Sequence, residues 1–157
     1  MKDLFSNGAV PAKAAPVTRQ FATFYVADRL YGIDVTQVQE IAKPLPLTPV
    51  RQSPAYVAGL INLRGQIATA IGLRELFSLP AGDGSEKMSV VCRLDGSLVS
   101  LLVDQIGDVM ELADSDFEPS PETLPESTRR FLRGVYKTPQ KILSVLDINH
   151  LTQFLSK

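Results

Sequence analysis

The chain has 157 residues, 16 Lys and Arg against 17 Asp and Glu, a net charge of −1 and 45% hydrophobic residues. That length suffices for one ordinary domain whose core needs no disulfide, and the charge balance lacks the dense basic stripe that a phosphate backbone demands, which excludes nucleic acid as an expected partner. One Cys and one His leave no zinc-type ligand set. No run approaches the roughly 18 apolar residues of a membrane span, and the N-terminus lacks the apolar stretch of a signal peptide. A cytoplasmic location is expected, without membrane insertion and without a cofactor.

Residues 1–18, rich in Ala, Pro, Gly and Lys, read as a flexible lead into a single domain over 19–157. "QFATFYVADRLYGIDV" holds two apolar runs split at Asp28-Arg29 and reads as a hairpin. "VTQVQEI" has room for a turn or two of helix, with Thr36 and Gln39 at capping-box spacing. The prolines of "AKPLPLTPVRQSP" forbid regular helix, and a stiff connecting loop explains them more simply than a polyproline ligand. "VAGLINLRGQIATAIGLRELF" reads as strand, turn, strand and a short helical end, and the polar stretch 80–86 as a linker.

In the second half, Asp95-Gly96 between alternating apolar runs is a strong hairpin signal. Residues 111–128, with six acids and three prolines, read as a solvated connection with at most a short strand. The chain closes as strand, turn at Thr138-Pro139, strand, and a helix with Asp147 as N-cap.

The halves look like one unit written twice. Val35 to Ile41 aligns with Val103 to Val109, and the preceding turns at Asp28 and Gly96 fall in the same register. Leu63-Arg64-Gly65 aligns with Leu132-Arg133-Gly134, which requires a longer last hairpin in the second copy, and Ile71-Gly72-Leu73 with Leu146-Asp147-Ile148. About five short strands per unit suit a small closed barrel. Two barrels sharing an apolar interface, at about 20–80 and 87–155 with strands open to exchange, explain strands that are hydrophobic on both faces. The fold class is all-β.

Catalytic chemistry is thin. His150 reads as an exposed residue of the terminal helix rather than a general base. Cys92, alternating with Val90 and Leu94, reads as a buried structural thiol. Asp104 and Asp108 read as solvated carboxylates of a turn-like segment. The sequence contains no phosphate-binding Gly loop, G-x-S-x-G or H-E-x-x-H, so no enzyme is expected. Binding surfaces remain. Gly65 supplies the positive φ of a tight turn, which places Arg64 at a hairpin tip or the last strand position. Asn62 and Arg64 share one side of the strand by period two, and Glu40, expected at the end of the first short helix, is the acceptor for the guanidinium.

"YGIDVTQVQEI", "AYVAGLINLRGQIATAIGLRELF", "LVDQIGDVMEL" and "ILSVLDINHL" together resemble the CheW family of chemotaxis coupling proteins, from about Gln20 to the end. The resemblance implies two packed five-stranded SH3-like β-barrels, with short helices and a C-terminal helix, and no enzymatic activity. It implies a standalone adaptor that bridges the cytoplasmic tips of chemoreceptors to the histidine kinase CheA, pairing with the kinase's CheW-like regulatory domain and recruited to membrane-associated receptor arrays. A CheW-like adaptor of a non-flagellar pathway, such as pilus motility, is the alternative. Carried over by position, the partner surface comprises Val38, Glu40, Ile41, Asn62, Arg64 and Gly65. One departure is Gly72, which stands where the family's helix opens with Asp.

Overall fold

A computed structural model describes residues 17–80, 82, 88–94 and 96–155. The expected N-terminal flexibility, apart from Val17 and Thr18, and most of the expected 80–86 linker lie outside these residues. The strands are Thr18–Val26 (β1), Arg29–Asp34 (β2), Val38–Ala42 (β3), Val57–Leu63 (β4), Gln66–Gly72 (β5), Met88–Leu94 (β6), Ser97–Val103 (β7), Gln105–Ala113 (β8), Phe117–Glu118 (β9), Leu132–Lys137 (β10) and Ile142–Leu146 (β11). Helices are few: Leu73–Leu76 (α1), Glu126–Arg129 (α2) and Ile148–Leu155 (α3).

The strands form two mixed sheets, ordered β3-β6-β7-β5-β4 and β8-β1-β2-β11-β10-β9. The sheets do not follow the halves of the sequence. Each half contributes its opening hairpin to one sheet and its remaining strands to the other, joined by parallel pairing of β7 with β5 and of β2 with β11. The second sheet has six strands rather than the expected five, because Phe117–Glu118 adds to β10.

Side chains sort by the two-residue period of a pleated strand. On β6, Val90 and Cys92 enter a central core while Val91 enters a smaller one beneath its own sheet. On β7, Val99, Leu101 and Val103 face the central core, and Leu98 the smaller one. The central core joins both sheets through Phe24, Tyr31 and Ile33 on one side and Ile71, Val90 and Leu101 on the other. Helix α3 caps the seam with buried Ile148 and Leu151, each contributing about 1.5–3 kcal/mol by burial.

The duplication is visible in the register. Val38 pairs with Cys92 and, across a β-bulge, Ile41 with Val90; Ile106 pairs with Phe24 and, across the same bulge, Val109 with Ala22. Thus Glu40 corresponds to Asp108 and Ile41 to Val109. One aligned segment is corrected. The bulge on β4 lies between Val57 and Gly59 and that on β10 between Leu132 and Gly134, so Gly134 corresponds to Gly59 and Arg133 to Ala58. Gly59 to Ala70 then spans as many residues as Gly134 to Val145, the second hairpin is not longer, and Arg64 and Arg133 are unrelated. Both glycines are forced by close approach: a Cβ would lie 2.7 Å from the Thr48 carbonyl oxygen at Gly59, and 2.5 Å from that of Glu118 at Gly134.

Local readings also shift. The first turn comprises Ala27 and Asp28, with Arg29 already paired to Val26. "VTQVQEI" is a three-residue 3₁₀ turn, Val35–Gln37, followed by strand. Its cap is Asp34, whose Oδ1 accepts from the Thr36 amide at 2.9 Å, rather than a Thr36–Gln39 box. Asp108 likewise lies on strand β8, not in a turn. As expected, α1 opens at Gly72 without a side-chain cap, whereas Asp147 Oδ1 accepts from the His150 amide at 3.0 Å. The proline-rich connection docks on β4 through reciprocal bonds of Thr48 with Leu60 at 2.9 and 2.8 Å.

Candidate functional site

The β4–β5 connection is a two-residue hairpin. Leu63 pairs with Gln66, and both residues between them have positive φ, 53° at Arg64 and 86° at Gly65. Such a turn matches the right-handed twist of its strands and favours Asn, Asp or Gly. Arginine at its first position costs about 1–2 kcal/mol of backbone strain. The Gly65 amide donates to Asn62 Oδ1 at 2.8 Å and holds the loop. Asn62 and Gly65 therefore shape the turn. Arg64 does not continue the strand face of Asn62; it projects from the tip with 73% of its side chain exposed.

The partner of Arg64 is Glu40, as expected, although Glu40 stands on β3 and not at a helix end. Arg64 Nη1 donates to Glu40 Oε1, and this bond raises the guanidinium pKa above its ordinary value. β3 and β4 are the two margins of the five-stranded sheet, so the pair ties its open ends together.

A second arginine reinforces the closure. Arg93 Nε donates to Gln39 Oε1 at 2.6 Å and Arg93 Nη2 to Gln66 Oε1 at 2.7 Å. Gln39 is the extra residue of the β3 bulge, and bulges re-aim side chains at sheet margins. Sequence reasoning missed Arg93, Gln39 and Gln66. The available signal was Arg93 itself, the charged interruption of the apolar run Val90-Val91-Cys92.

The structure thus joins Glu40 of β3 to the hairpin of Asn62, Arg64 and Gly65. Of the other two expected residues, Val38 is half-buried against the central core, and Ile41 turns outward with 43% exposure. At the corresponding place on the six-stranded sheet the chemistry differs. The Asp108 carbonyl accepts the Thr23 hydroxyl, Val109 is 61% exposed, and the β10–β11 turn is closed by Thr138 and Lys141 on each other.

The other titratable candidates do not converge on a reaction centre. Cys92 is buried, and desolvation pushes its thiol up to about 12. His150 lies exposed on α3, 5.9 Å from the Phe131 ring centroid. Asp104 is a structural acceptor: Arg74 Nη2 and the Ala27 amide each donate to its Oδ2 at 2.7 Å. Among the described residues no helix is long and apolar enough to cross a membrane, and no cluster of His, Cys, Asp or Glu suits a metal ion.

The sequence pattern of the CheW-like domain matches residues 20–155. The chain belongs to the CheW family. Relatives include the chemotaxis protein CheW of Treponema pallidum, 31% identical over 84% of this chain and 81% of that protein. The chemotaxis protein CheW of Rhizobium meliloti is 28% identical over 83% and 85%. The crystal structure of the scaffolding protein TtCheW from Thermoanaerobacter tengcongensis superposes with a TM-score of 0.77 at 27% identity, covering 85% of this chain and 87% of that one. The paired SH3-like sheets described above are the CheW fold.

Proposed function

We propose that this chain is a non-enzymatic adaptor of a chemotaxis array, coupling the cytoplasmic tips of chemoreceptors to the histidine kinase CheA, with residues 19–157 acting as one domain. Membership of the CheW family supports the scaffold reading, as do relatives named as chemotaxis and scaffolding proteins. The observation that carries the site is the Glu40–Arg64 pair: an exposed arginine bonded to a half-buried glutamate across one sheet end, beside exposed Ile41. Among the described residues its counterpart Asp108 makes no ion pair, and the corresponding hairpin is tied by Lys141 to the neutral Tyr25 hydroxyl, so the fold does not require a charged pair there. In this reading Arg64 and Glu40 form the polar centre of a docking surface with Ile41 at its apolar margin; Val38 supports it from the seam, and Asn62 and Gly65 hold the hairpin. The protein works in the cytoplasm, held at the membrane only by its receptors.

Contacts of this kind are modest in area, and simultaneous engagement of two partners multiplies their strength. The test is co-sedimentation of the purified protein with a receptor cytoplasmic fragment and CheA, with kinase activity measured in parallel. Both the pelleted complex and kinase activation should depend on this protein. Arg64→Ala should remain folded yet lower assembly about tenfold, the loss expected of a central charged contact. A wild-type protein that binds neither partner would overturn the coupling role; an Arg64→Ala protein that assembles normally would overturn the site.

A further inference from the structure

We propose that the mouth of the six-stranded sheet, between the start of β1 and β10, is a binding pocket for a small aromatic carboxylate. The proposal concerns a different sheet end from the coupling surface and does not depend on it.

The cavity measures about 230 Å³ and is lined by Arg19, Phe21, Asp114, Phe117, Arg133 and Tyr136, among others. Its walls are aromatic. The Tyr136 ring centroid lies 5.3 Å from that of Phe21 and 5.2 Å from that of Phe117, each pair tilted by 56°. Phe117 reaches this position only because Gly134 leaves the space above β10 empty.

Its polar groups are unequally engaged. Arg19 is occupied, with Nε donating to Asp114 Oδ1 at 3.0 Å and Nη1 lying 3.7 Å from Asp34. Arg133 is exposed and makes no ion pair among the described residues. Tyr136 is only 3% exposed, and its hydroxyl has no hydrogen-bond partner among the described residues. Burial, with Asp114 as the next cause, raises its pKa, so at neutral pH the hydroxyl retains a proton to donate.

A carboxylate suits these vacancies. It offers two acceptors to the planar fork of Arg133 and a third contact to the Tyr136 hydroxyl. Arg19 is neutralised by Asp114 and Asp34, so Arg133, which feels Asp34 only at longer range, is the cation left to receive the anion. The volume lies below that of drug-sized ligand pockets and suits a single ring, which would pack offset or edge-on against Phe117 and Tyr136. Closing such a barrel does not require this chemistry. The corresponding positions of the five-stranded sheet carry Ser89 for Phe21, Leu47 for Phe117, Ala58 for Arg133 and Ile61 for Tyr136.

The test is an NMR titration of the whole chain with benzoate, using acetate and cyclohexanecarboxylate as comparison ligands. Benzoate should give saturable shifts confined to Arg19, Phe117, Gly134 and Tyr136, and should bind several-fold more tightly than either comparison. Arg133→Met should weaken it about tenfold, as loss of a charge-assisted bond does, and Tyr136→Phe about threefold, with melting temperatures unchanged. The proposal is overturned if no saturable shifts appear, if acetate or cyclohexanecarboxylate matches benzoate, or if Arg133→Met binds as the parent does.

Discussion

The five-stranded and six-stranded sheets repeat one another in strand order, in the bulges on β3 and β8, and in the close approach at Gly59 and Gly134, yet their ends carry different chemistry. One ends in the Arg64-Gly65 hairpin tied to Glu40 by an ion pair; the other ends in a Thr138–Lys141 turn whose lysine donates instead to the neutral Tyr25 hydroxyl of β1. One mouth is lined by Ser, Ala and aliphatics, the other by arginine and aromatic rings. What recurs is what the topology requires. What differs is available for recognition, and the difference marks Arg64 more strongly than its exposure alone.

The glycines offer the largest test. Gly134→Ala and Gly59→Ala should each cost about 2–3 kcal/mol, because the added methyl meets a carbonyl oxygen of the crossing segment. Urea denaturation measures both, and a neutral Gly59→Ala beside a damaging Gly134→Ala would break the equivalence of the two crossings. Next comes Asp104, which accepts from Arg74 and from the Ala27 amide, while Thr36 stands at the corresponding place in the first half. Asp104→Ala should cost about 2 kcal/mol by leaving both donors poorly satisfied, and Thr36→Ala clearly less in the same assay.

The helix starts differ by one cap. Asp147→Ala should cost about 1 kcal/mol, and Gly72→Ser should add a few tenths in calorimetry. Smallest in stability, though largest in proposed function, is Arg64. Arg64→Ala should change unfolding free energy by less than about 0.5 kcal/mol. Arg64→Gly, which relieves the left-handed backbone, should be at least as stable and should weaken receptor–kinase assembly just as much.

The all-β class and the hairpins were legible in local pattern, because alternation and turn glycines are short-range signals, and the Glu40–Arg64 contact, 24 residues apart, was legible from opposite charge. The secondary structure at Glu40 was not. Capping-box spacing at Thr36 and Gln39 suggested helix, but β-branched Val38 and Ile41 pair instead with β6, and tertiary pairing overrides weak local propensity. The internal alignment failed where it followed letters. Leu-Arg-Gly occurs twice, yet the bulges equate Gly134 with Gly59, and bulges carry no fixed sequence mark. Arg93 was missed because its partners Gln39 and Gln66 are neutral and carry no charge that marks them as acceptors for a guanidinium.

The crossing of strands between halves has a consequence during synthesis. The β2 edge is completed only by β11, whose last residue is Leu146. A nascent chain that has exposed its first half therefore holds two fragments of different sheets and no finished core. At about 5–20 residues per second it must keep Phe24, Tyr31 and Ile33 out of aggregates until Leu146 has been added, so β11 acts as the latch that commits both sheets at once.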